Sequence, residues 1–201
     1  MESGVIQRSV LGPTLFSIFV NSIDEALEYC HILKYADDTR IFCSAKNSDD
    51  GVQDMRNKIQ TDISNIVSWS SMSGLRLNTD KCFSISFGRS DVQRNYTISD
   101  RPIPCKMLFS DLGVVAQSPI TFKSHYNQII SKGFSKLSII NKVFKYKNQR
   151  NIMKIFKGIV RPSLEYASVI WSPHSQVSVD NIERVRVSCV STHSSDPQSV
   201  V

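Results

Sequence analysis

The chain has 201 residues and 41% hydrophobic content, enough for one core or one core plus a small appendage, and its apolar patches are too broken by Ser, Asn and Lys to cross a membrane. Five cysteines at irregular spacing give neither a zinc pattern nor a disulfide framework; with no signal peptide, this points to an intracellular chain, nuclear or cytoplasmic and not secreted. The net charge of +6 is unevenly placed: no Asp or Glu stands between Leu112 and Leu164, a span that holds ten Lys and Arg, as expected of a chain that handles a polyanion.

Gly4 to Pro13 reads as a loop feeding a helix, because proline suits a first helical position where its missing N–H costs nothing. Leu15, Ile18, Phe19, Ile23, Ala26 and Leu27 recur at helical steps and predict one buried face. Two short apolar runs then flank Asp37-Asp38, the pattern of a β-hairpin with both carboxylates at its tip. Such a tip can be simply a turn, which favours Asp for backbone reasons. It can also be a site where hard oxygen ligands meet a divalent cation.

Asn47-Ser48-Asp49-Asp50 supplies N-cap chemistry for a second helix with the stripe Val52, Met55, Ile59, Ile63, Ile66 and Val67, and Gly74 is its predicted stop. Helix, hairpin, helix is the order of an α+β layer with helices packed on one face of an antiparallel sheet. From Lys81 the period becomes two, predicting a strand with Phe83, Ile85 and Phe87 on one face. Residues 96–99 and 106–115 read as one further strand pair. Beyond Pro119 helical spacing returns in two pieces, the second ended by Pro162. These helices have no obvious sheet partner and predict a small helical subdomain. The Ser-rich tail has no period and is expected to be disordered.

Several ordered segments carry a family resemblance. Gly4-Val5-Ile6-Gln7-Arg8-Ser9-Val10-Leu11-Gly12-Pro13 is similar to a G-V-P-Q-G-S-V-L-G-P loop, and Tyr35-Ala36-Asp37-Asp38 to an [FY]-A-D-D box. Trp69 with Gly74-Leu75-Arg76-Leu77-Asn78-Thr79-Asp80-Lys81-Cys82, then Asp111-Leu112-Gly113-Val114, then Val160-Arg161-Pro162-Ser163-Leu164-Glu165-Tyr166-Ala167 with Trp171-Ser172-Pro173, continue the series. In this order they resemble the palm and thumb of reverse transcriptases from jockey-like retrotransposons without long terminal repeats. The ordered set covers about residues 3 to 187.

The resemblance implies a polymerase palm-type antiparallel sheet with helices on one face over residues 1–118, a basic helical thumb over 119–188, and a disordered tail over 189–201. It implies RNA-directed DNA polymerisation by two-metal phosphoryl transfer, with an RNA template, a DNA primer and deoxynucleoside triphosphates as partners. Asp37 and Asp38 would bind Mg²⁺, and Lys81 would lie near the leaving phosphates as a cation or proton donor. Gln7, Arg8, Ser9 and Gly12 would lie against nucleotide and template. Lys132, Lys136, Lys142, Lys145, Lys147 and Arg150 would track the duplex by its phosphates. The chain departs from the family at Ile6 and Arg8, where the loop has Pro and Gly. The family's partner carboxylate stands upstream of this loop, where only Met1, Glu2 and Ser3 precede it, so fingers and first catalytic strand are expected to be absent and the chain inactive alone. A basic nucleic-acid-binding remnant without chemistry is the alternative.

Overall fold

A computed structural model describes residues 9–46, 48–88, 95–144 and 149–191. The fold is mixed helix and small antiparallel sheets, α+β, and it divides into two compact units, residues 1–85 with 89–106 and residues 86–88 with 107–201.

In the first unit, α1 (Gly12–Asn21) has Pro13 in its first turn and runs into a 3₁₀ turn, Ser22–Ala26. The strands β1 (His31–Tyr35) and β2 (Asp38–Phe42) pair antiparallel from His31↔Phe42 to Tyr35↔Asp38. Helix α2 (Asp49–Ser73) begins as expected: the Ser48 hydroxyl accepts the Gly51 N–H at 3.1 Å, with Asp49 and Asp50 in the first turn. It ends at Gly74, whose φ of 74° suits the residue after a helix. One side of α2 buries Ile66 with Val20, Ile23 and the inner hairpin residues Ile32 and Ile41; the other buries Ile63 with Tyr96 and Ile98.

The expected buried face of α1 needs correction in part. Phe16, Val20, Ile23 and Leu27 turn to the core, and Phe19, although largely exposed, lies with its ring 6.4 Å from that of Trp69 on α2, whereas Leu15 and Ile18 are exposed.

The expected strand over 81–87 is also absent. Ser84 forms one bridge to Cys105, accepting from Lys106 N–H and donating to Pro104 O, and toward Cys82 the ladder cannot continue because Pro104 has no N–H to offer. The strand pair expected over 96–115 is two hairpins instead: β3 (Tyr96–Ile98) with β4 (Arg101–Ile103), and, in the second unit, β5 (Leu108–Asp111) with β6 (Val114–Gln117). Both connections are two residues long with positive φ throughout, at Ser99-Asp100 and Leu112-Gly113, the tight reversal that closes each hairpin on itself.

In the second unit α3 (Lys123–Val143) does have a sheet partner, since it packs on β6, where His125 Nδ1 accepts the Val115 N–H. Next come α4 (Gln149–Ile155), a π-helical turn (Phe156–Val160), α5 (Arg161–Glu165), α6 (Ser168–Trp171) and α7 (Gln176–Ser191). Pro162 does not end the helical run as expected. The widened π turn precedes it, with Arg161 N–H donating five residues back to Phe156 O, and the proline enters the first turn of α5, where no N–H is needed. Val160, Val185, Phe156 and Trp171 centre this core. Gly133 is the point of closest approach: a Cβ there would lie 2.9 Å from Val185 Cγ1. Helix α7 carries Cys189 into the core and runs three residues into the segment expected to be disordered from 189; residues 192–201 of that tail lie outside the described residues.

Candidate active site at the hairpin tip

The two aspartates sit where the sequence predicts, at the turn of β1–β2. The loop is two residues, Ala36 and Asp37, and Asp38 is the first residue of β2. Ala36 has φ of 52°, a left-handed conformation that costs an L-residue roughly 1–2 kcal/mol. Asp37 and Asp38 are both exposed, and Asp38 makes one long ion pair with Arg40, 3.9 Å.

The hairpin is held at both ends of β1. At the tip end, Lys34 reaches inward and its ammonium binds Asp24 Oδ1 at 2.6 Å and Asn21 Oδ1 at 3.1 Å, fastening β1 to the end of α1. At the base, the carboxylate of Asp62 on α2 accepts three successive backbone N–H groups: Glu28 at 2.9 Å, Tyr29 at 3.1 Å and Cys30 at 2.6 Å. Burial opposes the charge on Asp62, but these N–H donors and the Cys30 thiol outweigh it and hold its carboxyl below the usual range. Sequence reasoning passed over Asp62. The available signal was an acid within the apolar stripe of α2, beside Ile63 and between Ile59 and Ile66.

Asp37 and Asp38 offer hard, exposed oxygen donors, a chemistry that suits a hard divalent cation completed by ligands from outside the chain. Among the described residues, no group of three or more His, Cys, Asp or Glu is placed to hold a metal ion. Lys81 lies in a 3₁₀ turn, Thr79–Lys81, exposed and without an ion pair to either aspartate. Leu75 and Leu77, just before that turn, pack with Ile32 and Ile41 under the hairpin. Ser9 and Gly12 are brought together as the start of α1, the Ser9 hydroxyl accepting the Gly12 N–H at 3.0 Å. Gln7 and Arg8 lie outside the described residues, as do Lys145 and Lys147.

The remaining basic candidates belong to the second unit. Lys132 and Lys142 are exposed on α3, and Arg150 is exposed on α4. Lys136 is half-buried and occupied: its ammonium donates to Ile159 O at 3.1 Å, inside the π turn. At about 100° per residue, Lys136 falls within the buried side of α3 and Lys132 at its edge, while Lys142 lies some 80° round the other way from Lys132, so these lysines form no single stripe.

A family described as reverse transcriptase (RNA-dependent DNA polymerase) matches residues 2–124. The chain is 26% identical over 187 residues to the RNA-directed DNA polymerase from mobile element jockey of Drosophila melanogaster, covering 85% of this chain and 19% of that protein. To the protein of the same description from Drosophila funebris it is 25% identical over 196 residues, covering 90% of this chain and 21% of that protein. The chain thus spans about a fifth of the length of the curated relatives it matches. No solved structure matches it.

Proposed function

The chain belongs to the reverse transcriptase family, in its jockey-like branch without long terminal repeats, and from that premise we propose that it carries the palm and thumb part of an RNA-directed DNA polymerase. The observation that carries the reading is the tandem aspartate tip of β1–β2, exposed and fastened to helices at both ends of its first strand. Asp37 and Asp38 would hold Mg²⁺, which when bound supplies Lewis-acid neutralisation of phosphate charge. Lys81 would balance charge on the leaving phosphates. The loop Gln7, Arg8, Ser9 and Gly12 would lie against the incoming nucleotide and template. Residues 119–188 would act as the thumb, with Lys132, Lys142, Lys145, Lys147 and Arg150 meeting duplex phosphates by charge. Lys136 would contribute mainly by bracing the π turn through Ile159.

Among the described residues no third acidic group joins Asp37 and Asp38, and on this reading the 201-residue chain alone should not extend a primer. Primer extension on an RNA template with Mg²⁺ or Mn²⁺ tests this. The expected result is no incorporation; incorporation abolished by Asp37→Asn would overturn the claim of inactivity while strengthening the role of Asp37.

The acid-free span between Leu112 and Leu164 favours one second reading, a nucleic-acid-binding remnant without chemistry. Duplex affinity should then fall steeply with added salt and be indifferent to EDTA. Salt-insensitive or absent binding would remove it.

A further inference from the structure

Beneath the aspartate tip, at the other end of the same hairpin, stand two cysteines to which the polymerase reading gives no role. Cys30 immediately precedes β1 and Cys43 immediately follows β2, so they face one another one step beyond the His31↔Phe42 rung. Tyr35↔Asp38 closes a two-residue loop and is a hydrogen-bonded pair; counting down the ladder, Ile32↔Ile41 and then Cys30↔Cys43 fall at non-hydrogen-bonded positions. Paired Cα atoms at such positions lie roughly 4.5 Å apart, within the range of about 4.4–6.8 Å that a disulfide spans. The backbone agrees: the Cys30 N–H turns away from the partner strand to Asp62 Oδ2. Both cysteines are half-buried, on the face shared with Ile32 and Ile41. The two thiols also sense each other: the Cys30 thiol is pushed up first by burial, then by Asp62 and then by Cys43. On α2, Lys58 is close enough to Cys43 for their charges to interact.

We propose that Cys30 and Cys43 are a redox modification site, a dithiol that closes to a cross-strand disulfide at the base of the hairpin with a small-molecule disulfide such as oxidised glutathione as oxidant. Cys43, beside the Lys58 cation, attacks one sulfur of that disulfide. A mixed disulfide forms and one glutathione thiolate leaves. Cys30 then gives up its proton, its sulfur attacks Cys43 Sγ, and the second glutathione leaves. Two protein thiols are oxidised and one small disulfide is reduced to two thiols, which take up the two protons. The bond would staple the hairpin at the end opposite Asp37 and Asp38. This inference does not depend on the polymerase reading.

The test is to equilibrate the folded chain with mixtures of oxidised and reduced glutathione, trap free thiols by alkylation and map the peptides. The expected product has lost two hydrogens and contains a Cys30–Cys43 linked peptide, and neither Cys30→Ser nor Cys43→Ser forms it. A second probe needs no variant to fold: phenylarsine oxide, which requires two neighbouring thiols, should bind the reduced wild-type chain and fail to bind the chain oxidised beforehand. Cys30 and Cys43 both remaining alkylatable under fully oxidising glutathione, or either one bridging to Cys82, Cys105 or Cys189 instead, would overturn the assignment.

Discussion

Asp62 shows how one side chain can set the position of a site it does not enter. It is fully buried and its two carboxylate oxygens take three consecutive N–H groups, so the segment before β1 has only one place to run. Charge-assisted hydrogen bonds of this kind contribute about 1.5–3 kcal/mol each, though not additively, and a donor left buried without a partner costs a similar amount. Asp62→Ala should therefore destabilise the first unit by about 3 kcal/mol, read as a lower urea midpoint, with amide exchange accelerated first at Glu28, Tyr29 and Cys30. A change below about 0.5 kcal/mol would mean that water replaces the carboxylate at no cost. The sequence made the Asp37-Asp38 pair visible because two adjacent acids between apolar runs are rare outside turns. Asp62 was harder to see, because nothing in the sequence tells whether an acid on a helix stripe faces backbone donors or merely marks the stripe's edge.

At the scale of elements, local chemistry was the legible part. Ser48, Gly74 and Pro13 each mark a helix boundary through the backbone group they satisfy or omit, and the structure has those boundaries. Pairings were less legible. Whether 96–99 joins 101–103 or 106–115 depends on Ser99 and Asp100 both taking positive φ, which no residue type there enforces. Pro162 misled for a related reason: a proline ends an α-helix only when the preceding turn cannot widen, and here a π turn absorbs it.

His125 is the joint between β6 and α3, and it makes this contact sensitive to pH. Its Nδ1 accepts the Val115 N–H at 3.3 Å, and its ring lies 5.1 Å from that of Trp171. Burial, with a smaller contribution from the Lys132 charge, lowers its pKa below the ordinary 6.5. A folded-state value below the unfolded one means that the unfolded chain takes up the proton first. Stability should thus be full above about pH 6.5 and fall as the pH drops towards the folded-state value, levelling off below it. Urea midpoints between pH 8 and 5 check this: the decline should flatten in His125→Gln, and an equal decline in that variant would assign it to other groups.

For the whole molecule, the family match covers residues 2–124, and the chain spans about a fifth of its curated relatives. The first unit carries the aspartate tip and the second carries the acid-free basic span, a separation that the +6 total conceals. The proposed function requires Asp37 and Asp38 to be metal-binding carboxylates rather than turn residues. Paramagnetic line broadening by Mn²⁺, followed amide by amide in the folded chain, tests that directly. Substoichiometric Mn²⁺ should broaden Ala36, Asp37, Asp38 and Thr39 before other amides, excess Mg²⁺ should reverse the effect, and Asp37→Asn should abolish it; a tip that stays sharp while other acidic positions broaden would reduce the two aspartates to turn residues.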